Sequence, residues 1–165
     1  MAYVITDTRI GAQPIAVTDT TQNHPIGTVV RAKDPTYGEG EFVYLLGVAS
    51  TVVGSVVTYN ATTGQTTLAA VGANKPFPVA IAMSANVASS YGWYQISGIA
   101  VALKSSAVSL AAGIAVGLLT AGRIAATGSG KELQGAMLAA VASASASTLS
   151  ATLVIDRPHI QGRIT

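Results

Sequence analysis

The chain has 165 residues, of which 50% are hydrophobic, 5% aromatic and only 10% charged, with a formal net charge of +2 at pH 7. This length suits one domain with a sizeable core, and the hydrophobic content excludes an intrinsically disordered chain. The small net charge without a basic run argues against nucleic-acid binding. The absence of cysteine excludes a disulfide scaffold, a zinc ribbon and a thiol nucleophile.

The charged residues are unevenly distributed along the chain. Five of the seven carboxylates lie in the first 41 residues, whereas Lys75 is the only charged residue between Phe42 and Leu103. A free monomer with so little charge exposes a surface that is prone to association. We therefore expect other subunits to cover part of this surface, the alternative being a solvated surface rich in serine and threonine.

Residues 1–40 are predicted to form an extended N-terminal arm. The segment contains Pro14, Pro25 and Pro35, shows no helical apolar period, and begins without a signal-peptide pattern. Its short apolar islands predict contacts with a neighbouring subunit, or edge strands within the same domain. The arm residues predicted to lie in an interface are Tyr3, Ile5, Arg9, Ile10, Ile15 and Val17.

Residues 41–165 are predicted to form an all-β body. Residues 41–46 read as a short apolar strand, and two β-rich runs around Gly64 predict a hairpin over residues 54–69. Residues 78–83 and 99–103 alternate large and small side chains. This pattern is typical of a strand whose large residues face the core, while its alanines allow close approach of another backbone or lie in an interface. The fold class is therefore a small β-barrel or sandwich.

The same order of elements recurs with an offset of about 57–59 residues. Gly54 corresponds to Gly113 and Gly64 to Gly122, while residues 79–83 match 136–140 and residues 92–96 match 151–155. This recurrence predicts an internal duplication into two similar hairpin-containing units, at about residues 41–98 and 99–165.

Two helical interpretations compete with this plan. An alanine-rich helix within residues 131–146 is one, because alanine is the best helix former. A membrane span over the uncharged residues 105–122 is the other. The small residues of that segment gain little from lipid, and Gly113, Gly117 and Gly122 interrupt it, so we do not expect a membrane partner.

No motif in the sequence predicts catalysis. Residues 128–131 (GSGK) resemble a phosphate loop, but Ala125 stands where the first glycine belongs and Glu132 replaces the hydroxyl residue. His24 and His159 each neighbour a proline and lack metal-ligand spacing. We therefore expect no enzymatic activity, no catalytic or metal site and no cofactor.

The richest aromatic cluster lies at residues 91–94 (YGWY), so Tyr91, Trp93 and Tyr94 complete the predicted interface. Aromatic side chains often dominate binding at interfaces. The alternatives are ordinary core packing and stacking on sugars, which would make the chain a carbohydrate-binding head or fibre module.

Five segments resemble structural proteins that are encoded beside capsid genes in tailed bacteriophages, and the hairpin plan is similar to small head-decoration, or capsid cement, proteins. The segments are residues 25–31 (PIGTVVR), 34–44 (DPTYGEGEFVY), 47–54 (GVASTVVG), 82–86 (AMSAN) and 91–98 (YGWYQISG). The C-terminal half shares the pattern more than the residues, and the alanine-rich stretch 141–146 departs from it.

The resemblance implies an all-β homo-oligomer, with a trimer as the expected state, that binds the major capsid protein. It would stabilise the head from the outer surface of the virion, after residing in the host cytoplasm during assembly. Neither nucleic acid nor membrane is an expected partner.

Overall fold

The computed structural model describes residues 4–5, 13–70, 76–105, 109–128, 131–143 and 149–161, and all regular structure in these ranges is β-strand. The predicted all-β class is therefore confirmed. The strands are β1 (Val4–Ile5), β2 (Val29–Asp34), β3 (Gly38–Leu46), β4 (Val56–Tyr59), β5 (Thr66–Leu68), β6 (Val79–Ala82), β7 (Tyr91–Leu103), β8 (Ala115–Thr120), β9 (Arg123–Ala126), β10 (Glu132–Leu138) and β11 (Ser150–Ile160).

The strands form one antiparallel sheet that curls into a half-barrel. The main path runs β1-β2-β3-β7-β11-β10-β8-β9, while β4 pairs with β5 and β6, and β6 also pairs with β7. The curl brings distant elements together: Ile160 N–H donates to the Phe77 carbonyl at 3.1 Å, and Val56 N–H donates to the Gly122 carbonyl at 3.0 Å.

Two units with the same strand pairing share β7. In the first unit β4 pairs with β5 and β6, and β6 pairs with β7; in the second, β8 pairs with β9 and β10, and β10 pairs with β11. Gly54 N–H donates to the Ala82 carbonyl just as Gly113 N–H donates to that of Leu138, both at 2.8 Å. The offset is therefore 59 residues for β4 and β8 but 56 for β6 and β10 (138 − 82), so matching residues 79–83 with 136–140 is wrong by one residue.

Gly98 lies where β7 passes from the first unit to the second. Residues 91–97 pair with β3 and residues 97–103 pair with β11, so the two pairings overlap at Ser97. Its φ is +99°, and a Cβ atom there would lie 2.5 Å from the Glu39 carbonyl oxygen. Only glycine combines this backbone conformation with such a close approach.

The apolar side chains form three clusters. The largest joins both units, with Val56 and Ile81 from the first and Leu118, Ile124 and Leu153 from the second. A second cluster lies among β3, β4, β6 and β7, and a third lies on the other face of β2, β3 and β7. Because β6 and residues 92–96 of β7 are buried between clusters on both faces, neither has a solvated side there.

The predicted arm boundary at residue 40 is corrected by the structure. Residues 29–34 form β2, whose buried side chains alternate along the strand and which pairs with β3 throughout. The Asp34 carboxylate accepts hydrogen bonds from the N–H groups of Thr36 (2.8 Å) and Tyr37 (2.9 Å), and so fixes the turn between the two strands. The segment from residue 29 onward therefore belongs to the sheet.

The two helical interpretations find no support in the described residues. Residues 132–138 form β10, because pairing with β8 and β11 overrides the helix propensity of alanine. Residues 144–146 of the predicted helix lie outside the described ranges. Within residues 105–122 the structure places β8. Among the described residues, no helix has the length and hydrophobicity needed to cross a membrane.

Candidate functional site

The structure divides the predicted aromatic cluster into core and surface. Trp93 and Tyr94 are fully buried, on opposite faces of β7. The Trp93 ring packs 5.1 Å from that of Tyr44 and 5.4 Å from that of His24. These two side chains offer no surface to a partner, which corrects their prediction as interface residues. The reason is that β7 is central, so both of its faces are covered.

Tyr91 remains at the surface. It is half-buried, and its ring stacks on Tyr44 with centroids 6.1 Å apart. It borders a groove of about 390 Å³. The other residues that line this groove are Thr20, Leu46, Gly47, Val48, Gln65, Ala88 and Ser89.

The described part of the predicted arm packs on its own domain. Ile15 is buried beside Val30 and Trp93, whereas Val17 is 41% exposed. Asp19 and Tyr91 exchange backbone hydrogen bonds of 3.0 and 2.7 Å. Ile15 is therefore held within the chain rather than presented to a neighbour.

The remaining arm predictions fall mostly outside the described residues. Tyr3, Arg9 and Ile10 lie outside them. Ile5 belongs to β1, where its backbone is paired with Ala32. Side chains are described for two of the predicted arm residues, Ile15 and Val17, and of these only Val17 is exposed.

A band of charged side chains crosses the sheet, formed by Arg31, Lys33, Glu39, Glu41, Asp156 and Arg157. The sheet register places residues 31, 41, 97 and 156 side by side on four adjacent strands. Glu41 pairs with Arg31 at 3.2 Å through one carboxylate oxygen and with Arg157 at 2.8 Å through the other. This charged band contains equal numbers of basic and acidic residues, so it can orient a partner without attracting one nonspecifically.

An irregularity in β11 positions Arg157. Residues 156–158 together oppose Gly135, because the paired residues on either side are His159 with Gln134 and Ile155 with Ala136. Arg157 adopts a φ of +43°, which is uncommon outside glycine. Pro158, which has no N–H group to donate, is accommodated in the same irregularity.

An apolar patch lies away from this band, formed by Val52, Val53, Leu103 and Leu149. Val53 is 59% exposed, Val52 48% and Leu149 40%. The Gly54 carbonyl accepts from Leu103 N–H at 2.8 Å, and Leu103 pairs with Ser150. These contacts make the three chain segments neighbours. The sequence segments 47–55 and 139–149, which supply Val52, Val53 and Leu149, contain no charged residue.

A second groove, of about 350 Å³, lies beside the β4–β5 hairpin, and we call it the hairpin groove. Its lining combines two aromatic rings with hydroxyl and amide groups. The lining residues are Thr58, Tyr59, Asn60, Thr63, Gln65, Thr67 and Phe77.

The sequence pattern predicts neither this groove nor the apolar patch. For the patch, the only indication in the sequence is the pair of adjacent valines, Val52 and Val53, outside the predicted strands.

No group of three or more His, Cys, Asp or Glu residues in the described ranges is arranged to hold a metal ion. His24 packs among aromatic rings, and His159 shares a 2.8 Å hydrogen bond with Gln134. Both contacts are structural.

Comparisons with protein-family models, with curated proteins and with solved structures found no match.

Proposed function

We propose that the protein is a structural virion protein that binds the outer surface of a tailed-phage capsid as an oligomer and stabilises the head. The observation that carries the proposal is the apolar patch of Val52, Val53, Leu103 and Leu149, most of which comes from sequence segments without a charged residue. Exposed apolar groups gathered in one area favour a contact surface. The resemblance of segments within residues 25–98 to phage head proteins is the reason for proposing the capsid as the partner.

The described surfaces fit such a role in two ways. Burial of the apolar patch against the major capsid protein, or against another copy of the chain, would contribute about 25 cal/mol per Å² of apolar area. The charged band around Glu41 would then set the orientation of the contact. Many copies on one shell would add avidity, so that a modest affinity per copy is sufficient.

The direct test is co-sedimentation of the purified protein with capsids that lack it. We expect binding to saturate at a fixed ratio to the major capsid protein. Val53→Asp should weaken the binding at least tenfold, because a carboxylate would be desolvated in the contact. Met137→Asp, which changes a side chain of similar exposure (47%) on β10, is the control. Absence of saturable binding by folded wild-type protein would overturn the proposal.

The contribution of the N-terminal segment needs a revised deletion. Removal of residues 1–24 would test this segment poorly, because it would also remove Ile15 and His24 from the cluster around Trp93. Deletion of residues 1–12 retains that cluster. We expect this shorter deletion to weaken capsid attachment, and an unchanged affinity would eliminate these residues as a contact.

A further inference from the structure

We propose that the hairpin groove binds a neutral oligosaccharide. This site is separate from the apolar patch and does not depend on capsid binding. It also differs from the sugar site expected at residues 91–94, because Trp93 and Tyr94 are buried. The groove has a volume of about 350 Å³ and is open to solvent along the β4–β5 hairpin.

Two aromatic rings give the groove its apolar surface. Phe77 is 44% exposed, and Tyr59 is half-buried. Tyr59 N–H donates to the Pro78 carbonyl at 3.2 Å, so the segments that carry the two rings are adjacent. An exposed aromatic face beside polar groups suits the C–H face of a pyranose ring, which is apolar although its edge carries hydroxyls.

The polar groups of the groove are held in place before any ligand binds. Asn60 Oδ1 accepts from the N–H groups of Thr62 (2.8 Å) and Thr63 (3.1 Å). Gln65 Nε2 donates to the carbonyls of Gly47 (2.9 Å) and Thr66 (3.1 Å). These bonds hold both side-chain amides in place but involve only the oxygen of Asn60 and only the nitrogen of Gln65. The Asn60 Nδ2 donors and the Gln65 Oε1 acceptor therefore remain for a ligand.

The chemistry of the lining favours a neutral sugar over other ligands. Hydroxyls and amides line the groove with the two rings, and none of the seven lining residues is ionised. A sugar hydroxyl donates and accepts, as this mixture requires. A peptide that added a strand would need a free edge. Among the described strands β5 pairs only with β4, so a peptide on its other edge is the competing ligand, and the titration with an uncharged peptide tests for it.

The neighbouring groove extends the site. Gln65 lines both the hairpin groove and the groove of about 390 Å³ that contains Tyr91. One fixed amide therefore lies between two concave surfaces, each with an aromatic side chain. This arrangement fits a ligand of several sugar units rather than a monosaccharide.

The test is a titration of the ¹⁵N-labelled full chain, followed by NMR, with malto-, cello- and chito-hexaose and with an uncharged Gly/Ser/Thr peptide. We expect at least one hexasaccharide to give saturable shifts at residues 58–67 and 77, and the peptide to give none. Phe77→Ala should weaken the binding about tenfold or more, which is about 1.4 kcal/mol.

Two variants separate recognition from folding. Asn60→Asp keeps an oxygen that can accept from Thr62 and Thr63 but loses the Nδ2 donors, so binding should fall while the melting temperature is unchanged. Tyr37→Ala is the matched control, because it removes a half-buried aromatic ring that does not line the groove. This variant should bind the oligosaccharide as the wild type does. Phe77→Ala should still bind capsids.

Three results would each overturn the proposal: no shift with any hexasaccharide, shifts located elsewhere, or Phe77→Ala that binds as the wild type does. Shifts at the groove caused by the peptide would assign the site to a protein partner instead. None of these results bears on capsid attachment, so the two proposals fail independently.

Discussion

Arg157 donates a 2.8 Å hydrogen bond to the carboxylate of Glu41, a residue 116 positions earlier in the chain. The bond crosses β7 and so joins β11 to β3, which are not adjacent in the sheet. Both ends are accessible, with 65% of the Arg157 side chain and 21% of the Glu41 side chain exposed. An ion pair this exposed contributes little to stability, so its position in the charged band is the more informative property.

Two substitutions of Arg157 distinguish the contribution of its ion pair to stability from the energetic cost of its backbone conformation. Glycine accepts the φ of +43° without the penalty of about 1 kcal/mol or more that other residues incur. We expect Arg157→Gly to be more stable than Arg157→Ala by about 1 kcal/mol in urea denaturation, since both lose the ion pair. Glu41→Gln removes the charge that pairs with both Arg31 and Arg157 but leaves the backbone at residue 157 unchanged, and should change stability by less than about 1 kcal/mol. Equal stability of the alanine and glycine variants would contradict this account.

Gly98→Ala should be strongly destabilising, because its Cβ would lie 2.5 Å from the Glu39 carbonyl oxygen where β7 changes partners. The matched variant is Gly113→Ala, which has a φ of +78° but no atom within 4 Å of the added Cβ. Gly113→Ala should lower the free energy of unfolding by only about 1 kcal/mol, because only the positive φ disfavours alanine there. Thermal unfolding of both variants measures the difference, and similar losses would show that the close approach at Gly98 is unimportant.

Ile15→Ala tests whether the segment before β2 packs on its own domain. The side chain is 3% exposed, and truncation of a buried isoleucine costs about 2–5 kcal/mol. Val17→Ala is the control, because Val17 is 41% exposed and its truncation should change stability by less than about 0.5 kcal/mol. If Ile15→Ala matched the wild type in urea denaturation, the segment would not be part of the core.

Trp93→Ala should cost about 3–5 kcal/mol, because the indole is fully buried against Tyr44 and His24. Tyr91→Ala should cost less, since that ring is half-buried. Tryptophan fluorescence of the wild type should be poorly quenched by iodide in the folded state and readily quenched after unfolding. Strong quenching of the folded protein would place the indole at the surface and revive its interface role.

Stability should fall at alkaline pH because of buried tyrosines. Burial raises the pKa of Tyr94, and also that of Tyr59, above the ordinary value of 10.0. The folded state therefore retains protons that the unfolded state releases, so the stabilisation is complete below pH 10 and is lost as the pH rises above it. Tyr94→Phe should lower the melting temperature at pH 8, because the substitution removes the hydrogen bond between the Tyr94 hydroxyl and Asn86.

The same variant should show a shallower decline of the melting temperature between pH 9 and 11. Parallel profiles for Tyr94→Phe and the wild type would exclude Tyr94 as a source of the alkaline loss.

The sequence by itself determined the strand content and much of the order of elements. Few helix-forming side chains, many β-branched ones and glycines at turns favour strands wherever the chain can pair. The spacing of Gly54 and Gly64 and of Gly113 and Gly122 located both hairpins, because these positions need a positive φ. Such signals are local, so they can be read without knowledge of the partner strands.

Tertiary structure alone decided which faces are covered and which residues meet. Alternation shows that Trp93 and Tyr94 point to opposite faces, but only the packing of β7 between two clusters buries both of them. In the same way, β2 joined the sheet because β3 was available to pair with it. The ion pair of Glu41 with Arg157 and the grooves on either side of Gln65 depend on contacts between distant segments. The physical reason is that burial is a property of the assembled sheet, whereas propensity belongs to each short segment.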